Sequence, residues 1–112
     1  MRALLLAAFL CAVTSEAFAL RGDISCYGNE NGPHTASGEH FNPHAMTAAI
    51  WGIPFGTWLH VTYNGRSVDV RVNDRGPSKR LHRIADLTIA ACARIGLLGP
   101  GHGIATIEVI RK

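Results

Sequence analysis

Asp74 closes an alternating run and is followed at once by Arg75-Gly76-Pro77, so its carboxyl stands at a strand end on a fixed turn. A carboxyl presented in that way can do general acid–base work in a groove, or it can cap the turn by accepting backbone N–H groups. Glu39, in Gly38-Glu39-His40-Phe41, is a second carboxylate, open to stabilising developing positive charge or to serving as an ordinary loop residue. Asp86 lies between apolar residues just ahead of a helix start, which suits a local hydrogen-bond anchor better than a reacting group. Arg75 is placed to hold an acetamido or carboxylate group, or to pair with Asp86. His40 and His44 stand four apart, but Pro43 argues against a helix that would join them and no third ligand is evident. No metal site is expected, and no cofactor is implied.

The elements that must position these groups are mostly strands. Gly, Pro and Asn punctuate the chain at intervals of roughly 8 to 12 residues, and helical periodicity is never sustained. Residues 57–63 are rich in β-branched and aromatic side chains, Asn64-Gly65 suits a type I′ turn, and Ser67 to Asn73 alternates strictly with Val68, Val70 and Val72 on one face. That is a β-hairpin with Asp69 and Arg71 facing outward; His60 also reads as lying on a strand face. One short helix is expected over residues 89–95, capped by Thr88 and ended by Gly96. Ile89, Cys92 and Ala93 fall at i, i+3 and i+4, which puts Cys92 on the buried stripe. Residues 103–110 alternate again and form the last strand, apolar on both faces except at Glu108. Residues 28–38 are a Gly, Asn, Pro and His surface loop.

The 112-residue chain begins as an export signal: Arg2 precedes an apolar run, Ala3 to Val13, too short to span a bilayer, and Ala17-Phe18-Ala19 carries small residues where a signal peptidase reads. Cleavage is expected after Ala19, leaving residues 20–112 as one domain in the periplasm or outside the cell. Phe9 and Leu10 stand where small residues would precede an acylated cysteine, which argues against a lipid anchor at Cys11. The formal charge of +3 favours polyanionic envelope polymers, but no Lys/Arg cluster interleaves with aromatics, so a nucleic-acid partner is not indicated. No membrane span is expected after cleavage, and a monomer is. Cys26 and Cys92 either pair or remain separate buried thiols. Export favours the pair, and closing a loop of that length stabilises a small core by roughly 4 kcal/mol.

Three segments in order resemble the rare lipoprotein A-like family: Thr35-Ala36-Ser37-Gly38-Glu39-His40-Phe41-Asn42; Met46-Thr47-Ala48-Ala49 with Ile53-Pro54-Phe55-Gly56-Thr57; and Asn64-Gly65-Arg66-Ser67 through Val70-Arg71-Val72-Asn73-Asp74-Arg75-Gly76-Pro77. Arg83-Ile84-Ala85-Asp86-Leu87-Thr88 is similar to that family's entry into a short Ala-rich helix. The resemblance implies a mainly β fold, a six-stranded double-psi β-barrel with one short helix. It also implies lytic transglycosylase activity on peptidoglycan: scission of the β-1,4 bond between N-acetylmuramic acid and N-acetylglucosamine with a 1,6-anhydro product, preferentially on peptide-free strands. It places the catalytic aspartate, an acid/base, at Asp74 and a groove glutamate at Glu39, expected to be catalytic in support of it; Arg75, Trp51 and Thr47 are the expected substrate contacts. One departure stands out. Where the family has Thr-Ala-Ala-His, with a histidine expected to assist catalysis, this chain has Thr47-Ala48-Ala49-Ile50, followed by a tryptophan where a basic or polar residue is usual. Related barrels bind polysaccharide without cutting it. A non-catalytic glycan-binding barrel is therefore the alternative, and a secreted effector or inhibitor that meets a protein partner through Trp51 and Trp58 is a third reading.

Overall fold

The computed structural model describes residues 19–28 and 32–111, so the expected export segment, apart from Ala19, and Cys11 lie outside the described residues. Six strands, β1 (Ala19–Tyr27), β2 (Thr47–Ala49), β3 (Trp58–Tyr63), β4 (Arg66–Asp74), β5 (Ala85–Thr88) and β6 (His102–Arg111), close into a barrel in the order β1-β5-β2-β4-β3-β6. Two neighbouring pairs, β1/β5 and β2/β4, run parallel, and the other four are antiparallel. Closure leaves no long unpaired edge in a chain with little else to cover one.

The central hairpin forms as its alternation requires. Asn64 and Gly65 both take positive φ, 52° and 80°, and β3 pairs β4 from Tyr63↔Arg66 to Trp58↔Arg71. Leu59, Val61, Val70 and Val72 are sealed in the core, each such side chain stabilising the fold by about 1.5–3 kcal/mol, while His60 Nδ1 and Asp69 Oδ1 meet outside at 2.7 Å. In β6 only one face is buried, through Ala105 and Ile107; Ile104 and Ile110 lie exposed on the other, where an apolar strand on both faces was expected.

The helix α1 runs Ile89–Arg94, ending a residue earlier than the sequence suggests. Thr88 caps it, its hydroxyl accepting from Ala91 N–H at 3.3 Å and donating to the Ala45 carbonyl at 2.6 Å, and Gly96 is left-handed with φ 75°. The buried stripe is Ala91, Cys92 and Ile95, with Ile89 and Ala93 exposed. So short a helix is oriented less by its own periodicity than by what anchors it, here the Cys26–Cys92 disulfide and the Ile95 and Leu97 side chains buried in the core.

The bridge joins residues 66 apart and ties the end of β1 to α1. Cys26→Ala is expected to cost about 2–4 kcal/mol, which in a domain of this size lowers the melting temperature by roughly 10–25 °C. Calorimetry of the two proteins under non-reducing conditions measures it. Intact mass two hydrogens below the dithiol value, with no titratable thiol from this pair, accompanies the bridge.

Candidate active site

Strand register writes a row of four residues across the outside of the barrel. Ser25 on β1 pairs with Asp86 on β5, Asp86 with Ala49 on β2, and Ala49 with Asp74 on β4. All four line one groove of about 620 Å³, with Tyr27, Thr35, Trp51, Leu81 and Arg83 also on its walls. The β2/β4 register slips between Ala48 and Ala49: Ala48 meets Val72 but Ala49 meets Asp74, with Asn73 passed over. A bulge of this kind re-aims side chains. Here Asn73 turns to Glu39 while Asp74 turns to the groove.

Asp74 is 7% exposed and held from three sides. Its Oδ1 accepts the backbone N–H groups of Ala36 and Arg75, each at 2.8 Å, and its Oδ2 accepts the Tyr27 hydroxyl at 3.0 Å. Tyr27 is itself fixed by Phe41, ring centroids 5.0 Å apart. The loop that offers Ala36 is folded on itself, with Thr35 N–H to the Glu39 carbonyl at 2.8 Å and Phe41 N–H to the Pro33 carbonyl at 2.7 Å. Both uses open to an aspartate before a turn are realised together: Asp74 caps backbone and faces the groove. On the opposite side of Ala49, Asp86 accepts a hydrogen bond from the Ser25 hydroxyl.

The other sequence candidates separate. Glu39 is absent from the groove wall; Arg71 grips it with two bonds, Nη1 to Oε2 at 2.7 Å and Nη2 to Oε1 at 2.9 Å, and Asn73 Nδ2 adds a third at 3.1 Å. The Arg71 bonds first, then Asn73, hold its pKa down at about 2, and Glu39 in turn raises that of Arg71. Glu39 is therefore a fixed carboxylate that braces the loop against β4, unsuited to donating a proton. Thr47 is buried, 4% exposed, and is not among the residues that line the groove. Arg75 is on the groove wall. Its guanidinium lies 3.9 Å from the Phe55 ring centroid and donates to the Ile50 carbonyl at 3.1 Å. Trp51 does stand on the groove, 47% exposed, its indole N–H anchored on the Pro77 carbonyl at 2.7 Å and Lys79 Nζ 5.1 Å from its ring. Ile50 points the other way, 1% exposed within the core cluster.

Sequence reasoning missed Tyr27 and Ser25. Their only local signal is the two-residue repeat of β1, which turns both away from Ile24 and Cys26. Among the described residues, no group of three or more His, Cys, Asp or Glu side chains is placed to hold a metal ion, and no helix is long and apolar enough to cross a membrane. His40 instead stacks on His34, centroids 5.4 Å apart.

The brace makes a prediction about pH. Because folding lowers the Glu39 pKa from 4.5 to about 2, its contribution to stability is complete above pH 4.5 and drains away as the pH falls toward 2. The Glu39 side chain is 42% exposed, so solvent screening leaves the contribution at about 1 kcal/mol or less. Glu39→Gln should melt a few degrees below the natural protein at pH 7, and the two melting curves should converge near pH 2.

The architecture, a closed six-strand barrel with two parallel pairings and a groove across its outer face, is that of the double-psi β-barrels. A family model described as lytic transglycolase matches residues 19–109, and the chain belongs to that family. It is 47% identical over 97 residues to the probable endolytic peptidoglycan transglycosylase RlpA of Nostoc sp., a match covering 82% of this chain and 26% of that protein. It is 40% identical over 96 residues to the endolytic peptidoglycan transglycosylase RlpA of Neisseria meningitidis, covering 83% and 40% respectively. The chain thus spans between about a quarter and two fifths of the length of these curated relatives. Among solved structures, the Streptomyces papain inhibitor superposes with a TM-score of 0.69 at 26% identity, over 84% of this chain and 96% of that one. The Clavibacter michiganensis expansin superposes with a TM-score of 0.68 at 18% identity, over 85% and 52%, a likeness of fold alone.

Proposed function

We propose that this domain is a peptidoglycan lytic transglycosylase that cleaves the bond between N-acetylmuramic acid and N-acetylglucosamine and leaves a 1,6-anhydro end, with Asp74 as the acid. The observation that carries this reading is Asp74 itself, a carboxyl fixed by three donors on the wall of an open groove. Forming an anhydro end requires a proton on the departing glycosidic oxygen, and a positioned carboxylic acid supplies it. Trp51, on the wall of the same groove as Asp74 and anchored by its indole N–H on the Pro77 carbonyl, offers an indole face on which a sugar ring packs. Ile50 occupies the place of the family histidine, so on this reading the chemistry runs without that group.

The disulfide fits an oxidising compartment, and with the leader-like residues 1–19 it supports export and action on the cell wall; cleavage after Ala19 and a monomeric mature domain belong to the same proposal. The protein-partner reading called for an aromatic patch away from Asp74. Trp51 instead shares the Asp74 groove, and Trp58 lies under Arg111, whose guanidinium carbon is 4.8 Å from its ring centroid.

The test is to incubate the purified domain with peptide-free glycan strands and analyse the products by mass spectrometry. Anhydro-muramic ends are expected. Co-sedimentation with glycan but no such ends would leave a binding barrel in place of an enzyme, and no binding at all would overturn the envelope-polymer reading.

A further inference from the structure

We propose that Lys79 and Trp51 together form a subsite for an acidic sugar, in which the indole carries the sugar ring and the Lys79 ammonium takes a carboxylate at the edge of that ring. This rests on the peptidoglycan reading and names the group of that substrate which the subsite selects. Of the two sugars in peptidoglycan only the muramic residue has such a group, the lactyl carboxyl on its O3. It is a free anion where no stem peptide is attached and a neutral amide where one is.

The rim of the groove beside Trp51 is cationic. From Arg75 to Ala85 the chain holds Arg75, Lys79, Arg80 and Arg83, with no aspartate or glutamate. These cations are not equivalent. Arg75 is engaged, its guanidinium against the Phe55 ring and on the Ile50 carbonyl. Arg83, on the groove wall, has Asp23 Oδ2 3.7 Å from its Nε. Lys79 and Arg80 are both exposed and neither lines the groove itself, but Lys79 reaches it through Trp51. Among the described residues the Lys79 ammonium meets the Trp51 ring, 5.1 Å from its centroid, and no carboxylate. Its charge is thus available to a ligand.

The indole is the fixed half of the pair. Trp51 is on the groove wall and half exposed, and the bond from its N–H to the Pro77 carbonyl at 2.7 Å sets the ring before a sugar arrives. The ammonium is the adjustable half. Lys79 opens a single 3₁₀ turn, Lys79–Leu81, from which its flexible four-carbon stem can follow an anion. A pyranose packed on an indole presents its substituents around the edge of the stack, and a cation already drawn to that indole stands where an anionic substituent on O3 arrives. A neutral sugar gains the packing alone, so the lysine converts a general sugar platform into one that discriminates by charge.

Calorimetric titration tests this with two probes: peptide-free glycan strands, and the same strands after their carboxyls are coupled to methylamine, which removes the charge and keeps the sugars. The natural protein should bind the charged strands about fivefold more tightly, the scale of one exposed ion pair, and the difference should shrink at high salt. Lys79→Gln should bring the two probes within about twofold of each other by losing affinity for the charged strands alone, while Lys79→Arg keeps the preference. Equal losses on both probes would make Lys79 a mere support for Trp51 and overturn the subsite, as would a preference that survives Lys79→Gln. Nitrogen-15 spectra of the natural protein check the other half without a variant: the Trp51 indole N–H resonance should move with either probe, and a resonance that moves with neither overturns the platform. The anhydro-end assay separates this proposal from the reading beneath it. A natural protein that binds both probes alike and still makes anhydro ends overturns the subsite and leaves the transglycosylase standing. A preference for charged strands without anhydro ends supports the subsite and overturns the cleavage, and a protein that binds neither probe overturns both.

Discussion

Asp74→Asn is expected to reduce anhydro-end formation by about 10²- to 10⁴-fold while leaving glycan co-sedimentation nearly unchanged. Asparagine keeps the size and one oxygen, and with that oxygen at the Oδ1 position the bonds from Ala36 N–H and Arg75 N–H survive. At the Oδ2 position an amide nitrogen would confront the Tyr27 hydroxyl, which rotates to accept in place of donating. The groove keeps its shape, and what disappears is an ionisable proton. A group needed only in the transition state affects turnover more than binding. A parallel fall in binding and turnover would instead mean that Asp74 holds the loop and does no chemistry, and unchanged product would remove it from the mechanism. Tyr27→Phe provides the control: it strips one donor from Asp74 without touching the carboxyl, and its effect should be the smaller of the two.

Local chemistry was legible in the sequence, and non-local register was not. The hairpin could be read because its signals are adjacent: an Asn-Gly turn and three valines two apart, Val68, Val70 and Val72, all of which face the core. Thr88 and Gly96 likewise marked the helix ends through backbone demands confined to a few residues. The row Ser25, Asp86, Ala49, Asp74 joins four strands scattered along the chain, and its middle member sits on a three-residue strand too short to show any alternation. Asp86 illustrates the difficulty. Its apolar neighbours Ala85 and Leu87 show that it turns away from the core, yet only the pairing of β5 with β1 and β2 reveals that it turns into a groove. Glu39 shows the converse difficulty. Its segment marks it as part of the site, but the bulge that turns Asn73 toward it, and Arg71 two residues earlier, convert it into a brace.

Ile50→His should cost stability and give no gain in turnover, although the resemblance read from the sequence implies a histidine at this position. The backbone at position 50 is tied to the site, its N–H to the Asp74 carbonyl at 3.2 Å and its carbonyl to Arg75 Nη1 at 3.1 Å, and this fixes the direction in which the side chain leaves. That direction is inward: Ile50 is packed in the core cluster with Ile53 and Val72. An imidazole there loses the packing of a buried isoleucine and brings polar nitrogens into an apolar site, together costing roughly 3–5 kcal/mol. For a domain of this size that lowers the melting temperature by at least about 12 °C. The deficit should widen below about pH 6.5, because burial disfavours the imidazolium that the unfolded chain forms freely, so the unfolded state binds the extra proton. Thermal melts of both proteins at pH 8 and pH 5.5, run beside the anhydro-end assay, measure both effects. A variant that melts close to the natural protein and turns over faster would show that position 50 opens onto the groove, and that Asp74 works best beside a histidine.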